Sequence, residues 1–316
     1  MTSLIDKALD ATIAPGFSRF GYKVRQREWE PIDESLEGRT VVVTGATSGL
    51  GEAAAHDLAA LGASLVLVGR NPEKTGRVRE EIVSATGNEA VRTEIADLSL
   101  MAEIRELADR LLSRDEPIHV LINNAGALFN ERAETSEGIE RTLALNLLGH
   151  FLLTNLLMPR LIDSGPSRVI NVASGGMYSQ RISVGNLMNG KGEYKGAAAY
   201  ARTKRGQVIL TEMWAEKHAG SGVMFSSMHP GWADTPGVVE SLPTFYKVTK
   251  PFLRTPAEGA DTIVWLAASD EAAGRSGLFW HDREPRPTHK SDRTREHPEK
   301  RDELWSALED LSGWTG

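Results

Sequence analysis

The chain has 316 residues, 41% hydrophobic and 25% charged, with a net charge of −7 and no cysteine. Such a composition suits one large α/β domain or two small ones, and it excludes a disulfide framework, a thiolate metal site and a cysteine nucleophile. The acidic balance argues against a general nucleic-acid surface, and no uninterrupted apolar run approaches the roughly 20 residues that span a bilayer.

The opening stretch, MTSLIDKALDATIAPGF, carries acids inside its apolar pattern rather than a signal-peptide core. The expectation is a soluble, cytoplasmic protein without a transmembrane segment. Leu4, Ile5, Ala8, Leu9 and Ile13 have helical spacing, so residues 1–38 read as an arm with a short amphipathic helix packed on the main domain. A membrane-surface contact has only Lys7 in its favour. From Thr40 onward strands and helices alternate. Strands are expected over 40–44, 64–69, 90–96, 118–123, 168–173 and 224–228. Helices are expected over 52–61, 72–86, 98–113, within 137–162, and over 200–219 and 256–268. Short apolar strands between helices mean a parallel sheet covered on both faces. The tail over 281–301 is charged and proline-rich, a solvated flap or a cover over a substrate cleft, and a last helix is expected over 303–311.

The run TVVVTGATSGLG (40–51) is a strand that opens through a glycine-rich turn into an alanine-rich helix. Gly45 permits the turn, Gly49 admits a pyrophosphate close to the backbone, and Gly51 lets the helix pack on the sheet. The helix start offers free N–H groups to phosphates. Such patterns recur by chance, but a strand before and a helix after make this one a dinucleotide site. The second strand ends in Gly69-Arg70-Asn71, with no acid to hold a ribose 2′-hydroxyl. An arginine there suits a 2′-phosphate, so the expected cofactor is NADP(H) rather than NAD(H).

Downstream lie NNAG (123–126), LNLLGHF (145–151), NVASGG (171–176), YARTK (200–204) and MHPGWADT (228–235). A lone Tyr-x-x-x-Lys is an ordinary helix-surface pair; all five in this order behind TGATSGLG are specific. They resemble the short-chain dehydrogenase/reductase family in its single-domain form, over about residues 38–280. The stretches SGGM, LTEMWA and SSMHPGWADTPGV and the DR-x-P-x-x-TH tail (282–289) resemble its member-twelve and retinol-dehydrogenase-like groups. The resemblance implies a single-domain Rossmann-type doubly wound parallel sheet over 39–280, with the arm before it and a C-terminal extension over 281–316.

It also implies a site. The catalytic set falls on Asn146, Ser174, Tyr200 and Lys204. Around the cofactor fall Gly45, Thr47, Ser48, Gly49, Leu50 and Gly51 of the glycine turn, and Arg70 and Asn71 after the second strand. Asp97 and Leu98 fall at the adenine pocket, with Asn124, Ala125 and Gly126 beside them. Pro230, Gly231 and Thr235 would fix the nicotinamide ring. Tyr200 would pass a proton to or from the substrate oxygen. Lys204, one helical turn away, would pull the phenol down from its usual ~10 and hold the nicotinamide ribose. Ser174 would stabilise charge on the substrate oxygen, and Asn146 would hold a water relaying protons to Lys204. No metal is expected, and His229 reads as a packed histidine.

Ser174 and Tyr200 stand 26 positions apart, about twice the family's commonest spacing. The inserted segment sits where many members pair helices into tetramers, so a monomer or homodimer is expected. Phe245, Tyr246 and Phe252 fall at the family's substrate lid and suit a hydrophobic substrate; Trp280 and His289 either close the cleft or pack. The implied reaction is the NADP(H)-dependent interconversion of a carbonyl and an alcohol on a hydrophobic small molecule. The alternative is a non-catalytic NADP(H)-binding regulatory or interaction protein. A sugar epimerase or dehydratase would use the same Tyr and Lys, but needs a larger substrate domain than the 85 residues after Gly231.

Overall fold

Two runs of mostly β-branched residues, TVVVT and SLVLVG, make the centre of the sheet. They form β1 (Thr40–Thr44) and β2 (Ser64–Gly69), which pair parallel with Val42 opposite Val66. Both faces of these strands are covered, which is why they do not alternate with polar residues. The computed structural model describes residues 4–316. In it, β3 (Val91–Ile95), β4 (Val120–Asn123), β5 (Ser167–Val172) and β6 (Val223–Met228) complete a six-stranded parallel core. Two further strands follow that the sequence reading left out. β7 (Leu278–His281) pairs parallel with β6, and β8 (Glu284–Pro285) turns back antiparallel on β7. The order is β3-β2-β1-β4-β5-β6-β7-β8. The boundary drawn between residues 280 and 281 therefore falls inside β7.

The arm is three short helices, α1 (Leu4–Ala11), α2 (Ile13–Phe17) and α3 (Arg19–Arg25). Thr12 and Ser18 have extended backbone and break it twice. Ile13 therefore leaves the face its spacing assigned to it and is 55% exposed, while Leu9, Phe17 and Tyr22 are buried.

On one face of the sheet, α4 (Gly49–Ala60), α5 (Pro72–Thr86) and α12 (Pro256–Ala268) bury Leu58, Ile82 and Ile263 against Val41, Val43 and Leu67. The other face holds α6 (Met101–Ser113), α7 (Arg141–Leu143), α8 (Gly149–Asp163) and α9 (Gly196–Lys217). A π turn, Ala144–Leu148, joins α7 and α8 into one helix. By length and composition alone this helix could cross a membrane, yet 83% of its most apolar window is buried in the fold; it is a core helix.

The loop after β6 carries α10 (Pro236–Ser241) and α11 (Pro243–Thr249). The last helix, α13 (Pro298–Ser312), is held down: Trp305 meets Phe151 edge-on at 5.0 Å and Trp214 at 6.2 Å.

The arm and the extension are joined by buried ion pairs. Asp282 accepts from Arg254 Nη1 at 2.5 Å and Nη2 at 2.9 Å, and from Arg25 Nη1 at 2.6 Å. Asp6 accepts from Arg25 Nε at 2.6 Å and twice from Arg286 at 2.7 Å.

Candidate active site

The glycine turn leaves β1 at Gly45, where φ is +64° and a Cβ would stand 2.8 Å from Ala125 Cα. Only glycine fits both the conformation and the space. Helix α4 begins just beyond it. Its N-cap, Ser48, makes no side-chain cap hydrogen bond, so the first N–H groups of the helix lie free at its positive end. Asn124 holds the turn from β4: Nδ2 donates to Thr44 O at 2.9 Å and to Gly45 O at 3.2 Å. Its side chain is thus spent on shaping the cradle. Thr235 closes the other side, its Cγ2 being 3.1 Å from where a Gly49 Cβ would stand.

At the end of β2, Arg70 is exposed and makes no ion pair or hydrogen bond among the described residues. Asn71 is otherwise engaged, its Oδ1 accepting from Lys74 N at 2.8 Å to cap α5. Asp97 Oδ1 accepts from Ser99 N and Oγ at 2.9 and 2.7 Å, which fixes the turn that buries Leu98.

Tyr200 and Lys204 rise one turn apart on α9, with Nζ 5.4 Å from the Tyr200 ring centroid. Ser174 caps the turn Gly175–Ser179 after β5; its Oγ accepts from Gly176 N at 3.2 Å, and its hydroxyl acts on the Tyr200 phenol. Lys204 is buried and donates to Val172 O at 2.8 Å. Burial dominates the electrostatics of the pair. Desolvation pushes Tyr200 up to about 12, against the opposing pull of the Ser174 hydrogen bond. The same burial brings Lys204 down to about 7. Burial thus works against the charged form of both groups.

Asn146 sits in the π turn with its side chain tied to the loop after β4. Oδ1 accepts from Ala127 N at 2.9 Å, and Nδ2 donates to Ala127 O and Thr142 O at 2.8 and 3.0 Å. A cavity of about 230 Å³ opens elsewhere, between the inserted segment and α13, lined by Arg181, Val184, Glu296 and Lys300.

The family profile described as short chain dehydrogenase matches residues 39–244. The chain belongs to the short-chain dehydrogenase family. Human dehydrogenase/reductase SDR family member 12 is 40% identical over 276 residues, 86% of each chain. Human retinol dehydrogenase 11 is 37% identical over 249 residues, 78% of each. Among solved structures, the Pseudomonas aeruginosa RhlG/NADP active-site complex is similar at a TM-score of 0.65 and 25% identity, covering 79% of this chain and 96% of that one. Membership makes this short-chain dehydrogenase an oxidoreductase of CH–OH and C=O groups with an NAD(P) site.

Several residues of this short-chain dehydrogenase escaped the sequence reading. Ala125 O only accepts, so His150 Nε2, 2.8 Å away, carries the ring proton. His150 Nδ1 then accepts from Gln207 Nε2 at 2.7 Å, and the second proton of that amide goes to Asn146 O at 2.6 Å. This chain ties NNAG to the π turn and to the Tyr-Lys helix. Asn123 donates to Asn171 Oδ1 at 3.0 Å, and Asn171 to Thr211 Oγ1 at 3.0 Å, bracing the same helix through the sheet. Asparagine inside two central strands, where it is disfavoured, was the available signal. Trp280 is core: it is fully buried in β7 and packs on Trp265 at 5.2 Å. His289 stays within the extension, 3.6 Å from Glu296. Of the lid residues, Phe245 meets Trp232 edge-on at 5.2 Å, while Phe252 is 59% exposed.

Burial pushes His150 and His229 down to about 3 and His281 well below its usual value. All three are neutral in the folded chain, whereas the unfolded chain takes up their protons near pH 6.5. Between those values the unfolded state binds more protons, so stability falls as pH drops through 6.5 toward 3. Denaturant melts should lose several kcal/mol between pH 6.5 and 4.5. Equal stability at the two pH values would refute the neutral rings.

Proposed function

We propose that the protein is an NADP(H)-dependent oxidoreductase that interconverts a carbonyl and an alcohol on a hydrophobic small molecule. The observation that carries this reading is the meeting of Ser174, Tyr200 and Lys204 beside the uncapped start of α4. A cradle that any Cβ would fill and free helical N–H groups fit a dinucleotide pyrophosphate, and unpaired Arg70 fits a 2′-phosphate. When bound, the cofactor supplies or accepts the hydride. The chain's own residues do the rest. Tyr200, protonated at neutral pH, donates its proton to the carbonyl oxygen and takes it back in the reverse direction. Ser174 donates a hydrogen bond to that oxygen as charge develops. Lys204, with protons beyond the one given to Val172, would hold the nicotinamide ribose and return a proton to Tyr200 through a water held by Asn146. Pro230, Gly231 and Thr235 bound the nicotinamide side.

Support for a hydrophobic substrate comes from the apolar lid at Phe245, Tyr246 and Phe252 and from retinol in the name of a relative. Support for NADP(H) comes from Arg70 and from the NADP in the similar RhlG complex. The test is NADPH consumption across hydrophobic aldehydes and ketones; tight NADPH binding with no turnover of any would reject the reaction. Arg70→Asp should weaken NADPH roughly tenfold or more relative to NADH, about 1.4 kcal/mol or above for a lost charge-assisted pair. Unchanged NADPH affinity in a titration would sink the cofactor preference.

A further inference from the structure

The arm lies outside the residues that the family profile covers, yet it reaches the Ser174 turn. Phe17, at the end of α2, is 4% exposed. A Cβ at Gly175 would stand 2.7 Å from Phe17 Cε2 and 3.0 Å from His229 Nε2. Gly175 directly follows Ser174, whose hydroxyl acts on the Tyr200 phenol. Phe17 is in turn held from several sides. Its carbonyl accepts from Trp232 N at 2.8 Å. Its ring meets His229 edge-on at 4.2 Å and His281 at 5.2 Å. The neighbouring carbonyls of Gly16 and Ser18 accept from Arg254 at 3.2 and 3.3 Å. His229 is equally fixed, stacked on His281 at 4.4 Å with its Nδ1 accepting from Gly231 N at 3.0 Å.

Two immobile rings against one glycine leave its backbone little room, since close-packed interiors transmit strain rather than absorb it. We propose that Phe17 is a positioning residue of the reaction site. Together with His229 it clamps Gly175, and so fixes where Ser174 Oγ stands relative to Tyr200. The arm is then a wall of the site rather than a decoration of the domain. The proposal rests on the carbonyl–alcohol reading above, and its test separates the two.

The full-length chain serves throughout. Phe17→Ala is expected to lower kcat by about 10- to 100-fold, the usual effect of a small misplacement of catalytic groups. KM for NADPH should move far less than kcat, because the arm reaches the cofactor side only indirectly, through Trp232 and Arg254. Phe17→Tyr, which keeps the ring, should restore most of the rate. Gly175→Ala drives a methyl into the ring and should cost a similar factor. Adding Phe17→Ala to it should cost less than the two losses multiplied, the sign of residues in contact.

Val78→Ala, in α5 on the other face of the sheet, controls for lost stability; it should lower Tm without moving kcat. Hydrogen exchange of residues 174–179 needs no substrate. It should quicken in Phe17→Ala and not in Val78→Ala. A folded Phe17→Ala chain with wild-type kcat, losses that multiply fully in the double variant, or unchanged exchange at 174–179 would each overturn the clamp. If the wild-type chain turns over no carbonyl but exchange quickens as described, the clamp stands and the reaction reading falls.

Discussion

Tyr200→Phe is expected to cut carbonyl reduction by about 10²–10⁴-fold, the usual worth of a positioned general acid, with NADPH bound as tightly as before. The substitution removes one oxygen and keeps the ring, so packing on α9 survives. Desolvation keeps the wild-type phenol protonated up to about pH 12, so the proton for reduction is present throughout the neutral range. Oxidation needs the phenolate and should speed up as pH rises from 7 toward 10. Lys204, held down to about 7 by burial, gains charge as pH falls, which favours phenolate electrostatically but cannot offset the free-proton excess. Initial rates in both directions over pH 6–10 test this. A Tyr200→Phe chain that keeps more than a tenth of the wild-type rate would remove Tyr200 from the chemistry.

Asp282→Ala is expected to cost about 3–5 kcal/mol, the penalty for leaving buried charges without their partner, and to lower Tm on the order of 10 °C. Asp282 is 1% exposed and accepts from Arg254 and Arg25, themselves 1% and 5% exposed. Burial alone would push its carboxyl up; the two guanidiniums outweigh that and hold it below the usual carboxylate range. Its contribution is therefore present above the unfolded value near 3.9 and is lost as pH falls through the folded one. Asp270 offers the contrast. It faces Arg168 at 4.0 Å with its side chain 96% exposed, so Asp270→Ala should leave the melt unchanged. A Tm shift of under 2 °C for Asp282→Ala would show that the arm is not held by this carboxylate.

What was legible in the sequence follows from how each element is stabilised. TVVVT and SLVLVG are buried on both faces, so their whole composition announces a strand, and both ends were placed to the residue. Pro72 and Pro256 at helix starts and Gly87 past a helix end marked α5 and α12 as plainly. The strand LFWH is four residues of mixed character whose pairing with β6 is decided by residues fifty positions earlier, and no local pattern carries that. The site residues came from spaced motifs, each brief but collectively ordered. Their electrostatics did not, because a phenol raised by burial and a lysine lowered by it depend on the lid and core around them. Gln207 and Phe17 were missed for the same reason: each acts on a motif residue across the fold, from a position with no signature of its own; His150 stood inside LNLLGHF, but its partners Ala125 and Gln207 are set by the fold.

The ion pairs that seat the arm join residues 257 and 280 positions apart, Arg25 with Asp282 and Asp6 with Arg286. During synthesis at about 5–20 residues per second, helices α1 to α3 leave the ribosome on the order of 15–55 s before their partners. Until then Arg25 and Asp6 lack Asp282 and Arg286, and Phe17 lacks the rings of His229 and His281. The nascent chain can assemble its nucleotide-binding half while the arm is still loose. The arm, made before the rest of the fold, is thus among the last elements to dock.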